Sequence, residues 1–278
     1  MRGMRKGSKR RLLAALIAAV LIMHSFPVTV AAAGYELSAT MKKSFDKMAD
    51  AAGGTFQRNL GAQYGELTAL QQEHRKRDAD SKELRIRNDE ALKVLRRQIK
   101  QLDESHLAEL KRRVDDTKAR YKPMLDMYTS INQQITTAKK LHSKEWAAIL
   151  QIQANGMKAA VQLAKQDIRN KEAQLTAAKG QTSAKQKKIR ETLTALEPVD
   201  VKMRTHREAV TRLNKQVASD WKTFTPHVKQ QDAKASSEAL SALLSRLRQI
   251  SDHKRSLYDL EAETTVIINK AKTQLSKL

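Results

Sequence analysis

Histidines and carboxylates are the side chains best suited to acid–base or metal chemistry, and this sequence gives them little to work with. Seven histidines are present. His74, His106, His142 and His206 fall on apolar helical stripes, whereas His227 and His253 do not. Imidazoles on facing helices could sense mild acid or gather a metal. No two stand at i, i+4, however, and Asp103 to His106 is the only carboxylate followed by a histidine at the i, i+3 spacing of di-iron bundles. They read as polar layers. The adjacent acids Asp89-Glu90 and Asp115-Asp116 point to different sides of a helix, so neither pair can share a substrate.

Other catalytic patterns are missing. There is no Gly-rich phosphate loop, no Gly-x-Ser-x-Gly elbow and no His-Glu-x-x-His. The chain has no cysteine, which removes thiol catalysis, disulfide frameworks and zinc ribbons. The sequence therefore predicts a non-catalytic protein without cofactor or metal.

Cations are the plentiful functional type. The 278 residues carry 53 Lys+Arg against 30 Asp+Glu, a formal charge of +23. Six of these cations (Arg2, Arg5, Lys6, Lys9, Arg10 and Arg11) precede the apolar run Leu12 to Met23 and the small residues Ala31-Ala32-Ala33. That order is a secretory signal, predicted to span 1–33 and to be cleaved before Gly34. An apolar core of this length is short for a bilayer that needs ~20 residues, so an uncleaved anchor is the weaker reading. The mature chain then keeps a charge of +17, of which +7 lies between 179 and 230. Lys185, Lys187, Lys188, Arg190, Lys202, Arg204, Arg207, Arg212 and Lys215 form the candidate anion-binding face. Its bland counterpart is the solvated exterior of a coiled coil, where charges interleave as a matter of course.

The elements that must position these groups are few and long. Nine Gly and four Pro cannot supply the turns of a β-sandwich or barrel, so the fold is predicted to be all-α: an elongated antiparallel coiled-coil bundle of long helices. Leu37, Met41, Phe45, Met48 and Ala52 mark a short amphipathic helix within 34–65, followed by a Gly-containing tether. From 66 to 278, apolar residues recur at alternating steps of three and four. One seam runs from Leu67 through Leu92, Leu95 and Ile99 to Ile131 and Ile135, then through Trp146 and Leu150 to Ala178. A cleaner one places Ile189, Leu196, Met203, Val210, Val217 and Phe224 every seventh residue. The last runs from Leu240 to Leu278 with Lys254 and Glu261 as polar intrusions. Trp146 and Trp221 both read as core. Breaks are predicted near 180–183, where Gly180 precedes Ser183, and at 225–235, where Thr225 would cap a helix opened by Pro226. Pro123 and Pro198 read as kinks or helix starts, and Asn155-Gly156 as a place where the chain could reverse.

These features predict an exported protein of the cell envelope or medium, binding anionic wall polymers or a membrane surface through its basic face, with seams joining helices of its own or of a partner chain. A homo-oligomer fits the seams. An adaptor of a wall-remodelling enzyme and a helical lipid-binding or pore-forming toxin are the alternatives. Specific nucleic-acid reading is disfavoured, because no aromatic side chains interleave with the cations.

Overall fold

The computed structural model describes residues 35–278; the signal segment expected at 1–33 lies outside the described residues. The described chain is six helices with no strand: α1 (Ala39–Ala52), α2 (Gly54–Lys100), α3 (Glu104–Lys140), α4 (Lys144–Leu193), α5 (Leu196–Lys229) and α6 (Ala233–Ser276). The all-α bundle of long helices is as composition and periodicity require.

Helix direction follows from which residues meet. Hydrogen bonds between α2 and α6 join residues 173 to 182 apart, from Gln63 with Ser237 to Asn88 with Glu261. A near-constant separation means that these two helices run parallel. Between α3 and α4 the pairs are instead Tyr121 with Asp167 and Lys118 with Glu172, so one index rises as the other falls and the helices form an antiparallel hairpin. Arg246 of α6 meets Asp220 and Gln216 of α5, and Arg207 of α5 meets Glu261 of α6, again antiparallel.

Three of the breaks are made by non-glycine residues in the left-handed backbone region: Asp103, His142 and Gln231, with φ of 58°, 57° and 57°. After α5, the amide of Gln231 donates to Val228 O (3.2 Å) and that of Asp232 to His227 O (3.1 Å). The same pattern closes α3, His142 to Lys139 O and Ser143 to Ala138 O. His142 and Gln231 thus each turn two amides back onto carbonyls that the helix end would leave unpaired, while at Asp103 the Glu104 amide reaches Gln101 O at 3.1 Å. Asp232 then caps α6 by accepting the Ala235 amide at 2.9 Å.

Five expectations are corrected here. The helix does not break at 180–183: α4 runs through Gly180 and Ser183 to Leu193, and the interruption lies at Thr194-Ala195. One helical glycine costs only about 1 kcal/mol, which the burial of Val161 and Ala164 before it and of Thr182 and Ile189 after it outweighs. Nor does α4 reverse at Asn155-Gly156. Pro226 does not open a helix but lies within the last turn of α5, with the reversal at Gln230–Asp232. The expected tether is absent as well, because α2 starts at Gly54 and carries Gly61 and Gly65 within it. Only Gly53 and Gly54 adopt positive φ, 62° and 51°, and they make the corner between α1 and α2. Trp146 is exposed rather than core, since Ala147 and Leu150 take the inward positions of that turn.

The described chain divides into two compact units. The first comprises 35–76 and Glu208–Asp252. Its core joins Phe45, Met48 and Ala49 of α1 to Leu60 and Leu67 of α2, Val217 and Phe224 of α5, and Leu240, Leu243 and Leu247 of α6. Aromatic rings thicken it: Phe224 lies 5.5 Å from Trp221 and 6.2 Å from Phe45, and Tyr35 lies 5.7 Å from Trp221. So α1 is docked on the bundle through the stripe that its sequence predicts, although Ala52 is exposed and Ala49 takes the inward place. The second unit, Arg77–Arg207 with His253–Leu278, has smaller clusters. One gathers Leu92, Leu95, Ile99, Ile189, Leu196, Ile268 and Ala271; another Val199, Met203 and Leu260; the third, inside the α3–α4 hairpin, Ile131, Ile135, Leu150 and Ala154.

Candidate functional site

The nine candidate cations divide by what they touch. Lys185, half-buried on α4, lies 3.2 Å from Asp103 Oδ2, to which the Thr182 hydroxyl also donates at 2.7 Å. These bonds hold the Asp103 carboxyl below the usual carboxylate range, the Thr182 bond contributing most. Asp103 is itself the left-handed residue between α2 and α3, so Lys185 and Thr182 pin a helix break. Arg207, also half-buried, reaches Glu261 at 3.5 Å and Met203 Sδ at 3.7 Å. Both cations serve the fold. By contrast Lys187, Lys188 and Arg190 near the end of α4, and Lys202 and Arg204 near the start of α5, are exposed. Lys187 has Glu191 as a neighbour at 3.7 Å and Arg190 has Gln186 at 3.5 Å, both contacts along one helix in water. Arg212 and Lys215 are exposed on the first unit.

The seam residues are placed more uniformly. Ile189, Leu196, Met203, Val210, Val217 and Phe224 are all buried. Ile189, Leu196 and Met203 fill clusters of the second unit, and Val210, Val217 and Phe224 belong to the core of the first. Their seven-residue spacing survives the interruption at Thr194-Ala195, where Ile189 and Leu196 share one cluster.

Three polar layers lie between the helices. In the second unit Asn88 Nδ2 donates to Glu261 O (2.8 Å) and Oε2 (3.1 Å), while Thr265 Oγ1 donates to Asn88 Oδ1 (2.8 Å). Glu261 is 4% exposed, and burial pushes its carboxyl above the usual range despite the Asn88 bond and the Arg207 charge. In the same unit, His206 Nδ1 lies 2.9 Å from His253 Nδ1 with the rings edge to face. One nitrogen must donate and the other accept, so at least one of the two lacks a proton at Nδ1. In the first unit, buried His74 presents Nε2 to Leu247 O (3.1 Å) and Ser251 Oγ (2.9 Å). Sequence spacing places His74 and His206 on seams but misses His253 as the ring that meets His206. It also reads His142 as a seam position, where it is instead the left-handed residue of the hairpin turn.

These layers are hydrogen-bonded groups between helices, and the Ser251 hydroxyl beside His74 also lies 3.5 Å from Glu73 Oε2. Among the described residues no group of three or more His, Asp or Glu is placed to hold a metal ion, and no helix is long and apolar enough to cross a membrane. No family model, no curated protein and no solved structure matches this chain.

Proposed function

We propose that this is an exported, non-catalytic protein of the cell envelope or medium that adsorbs to anionic wall or membrane polymers through exposed cations. The observation that supports this reading most is the division of labour among the candidates. Lys185 and Arg207 are half-buried in ion pairs between helices, whereas Lys187, Lys188, Arg190 and Lys202 are exposed within one short stretch of the second unit, Lys187 beside the equally exposed Glu191 of its own helix. A cluster of like charge raises the local concentration of a polyanion, and the attraction is screened within ~8 Å at physiological salt. The seams Ile189 to Phe224 are occupied by the chain's own helices, so on this reading they build the scaffold rather than recruit a partner.

The test is retention of the purified protein on a phosphate-bearing wall polymer and on anionic vesicles along a salt gradient. Retention is expected to fall steeply between low and molar salt, and Lys187→Glu with Lys188→Glu to shift the release point to lower salt. Retention unchanged in molar salt, or indifferent to the charge reversals, would overturn the reading.

A further inference from the structure

Helix α4 carries a second seam on which none of the described residues packs. Its inward side is Ala147, Leu150, Ala154, Val161 and Ala164, all buried. On another side, Ile149, Ile152, Gly156, Ala159 and Leu163 follow at steps of three, four, three and four, the alternation of a coiled-coil interface. Ile149 is 53% exposed, Ile152 73% and Leu163 67%. Gly156 and Ala159 are exposed too, and a Cβ added at Gly156 would meet nothing within 4 Å. Scattered apolar side chains on a surface are ordinary; five positions in seam register without a charge among them are not.

We propose that this face pairs with the same face of a second copy of the chain, the two α4 helices running antiparallel about a two-fold axis. One register places Ile152 of each copy opposite Leu163 of the other, with Gly156 opposite Ala159. The large side chains meet toward the ends, and the small ones let the backbones close at the middle. By symmetry each contact forms twice. Charge agrees with this register: it brings the exposed carboxylate Glu145 of one copy beside the exposed guanidinium Arg169 of the other, again twice. The other cations along this stretch, Lys144, Lys158 and Lys165, share a side of the helix away from the apolar face and do not oppose each other across the pair. A lipid surface would instead call for cations flanking the apolar stripe, which this face lacks. The hairpin core, Ile131, Ile135, Leu150 and Ala154, is one layer between two helices, and pairing adds a second apolar layer on the other side of α4.

The inference is independent of the anion-binding reading and is tested without a polyanion. Sedimentation equilibrium of the purified protein at roughly 10–100 μM, in salt high enough to screen surface charge, is expected to give twice the monomer mass. Ile152→Glu and Leu163→Glu each lie on the surface, so helicity should be kept while dimer affinity drops by about tenfold or more. At low salt, Glu145→Arg and Arg169→Glu should each weaken the dimer, and the double variant should regain it. A monomer throughout, or a dimer indifferent to Ile152→Glu, would overturn the proposal. So would a monomer that sediments with neutral phosphatidylcholine vesicles in a manner Ile152→Glu abolishes, since the face would then belong to lipid.

Discussion

The first unit and the α3–α4 hairpin of the second are built from the same kind of helix and differ in how many neighbours each helix has. In the first, α1, α2, α5 and α6 enclose Phe45, Leu60, Leu67, Phe224, Leu240 and Leu243, with Trp221, Tyr35 and Tyr64 around them. In the hairpin two helices share Ile131, Ile135, Leu150 and Ala154. Side chains of a similar apolar character therefore end in different places: Phe224 is fully buried, whereas Trp146, Ile149 and Ile152 face water. Periodicity decides which side of a helix is apolar; how many helices cover that side is a tertiary matter.

The largest effects should come from attacking the two cores alike. Phe224→Ala removes a ring that touches Trp221 and Phe45, and is expected to cost about 4 kcal/mol in global stability. Ile135→Ala, in a thin core opposite small Ala154, is expected at the low end for such changes, about 2 kcal/mol. Chemical denaturation of the two variants checks both, and equal losses would erase the contrast.

A smaller pair of effects separates buried from exposed carboxylates by sign. Burial raises the Glu261 carboxyl above its ordinary 4.5, so ionisation works against the folded state. Relative to a neutral side chain, the native state loses stability as pH rises through the raised value. Glu261→Gln should accordingly melt higher than wild type at pH 7, and its advantage should disappear below pH 4.5, where both side chains are neutral. Glu66 behaves oppositely. Arg248 donates to both of its oxygens, at 2.6 and 2.7 Å, and holds its carboxyl below 4.5. That contribution is present at neutral pH and lost as pH falls through the lowered value. Because the pair is exposed, Glu66→Gln should cost only about 0.5 kcal/mol at pH 7. Thermal melts across pH 3 to 7 would show the two variants diverging from wild type in opposite directions.

The smallest effect concerns the glycines. Gly180 is helical with open space at its Cβ position, so Gly180→Ala should stabilise by up to about 1 kcal/mol. Gly53→Ala should destabilise, because φ of 62° strains any side chain there. A shift of the same sign at both positions would contradict the placement of the α1–α2 corner.

These glycines also show what the sequence conveyed. Apolar spacing was sufficient for the all-α class, for the stripe of α1, and for the seam from Ile189 to Phe224. Turn residues were an uneven guide: Gln231 falls within the break expected at 225–235, but the others lie at Asp103, His142 and Thr194-Ala195 rather than at Gly180 or Asn155-Gly156. In helices this long, one glycine is outweighed by the burial on either side. The left-handed position tolerates Asp and His well enough that no local pattern marks it. Of the candidate cations, composition found the cluster but not which members were engaged. Lys185 meets Asp103 from 82 residues away, and Arg207 meets Glu261 across the bundle, separations that no local pattern encodes. Trp146 was misplaced by a single residue of register, the smallest slip that moves a helical side chain from core to water.

Amide hydrogen exchange resolved along the chain, at low and high protein concentration, tests the contrast most directly. At low concentration the amides around Phe224, Leu240 and Leu243 should exchange slowest and those of the α3–α4 hairpin faster, with protection of 145–169 rising as concentration increases. Hairpin amides as protected as those of the first unit at low concentration, and unchanged at high, would contradict it.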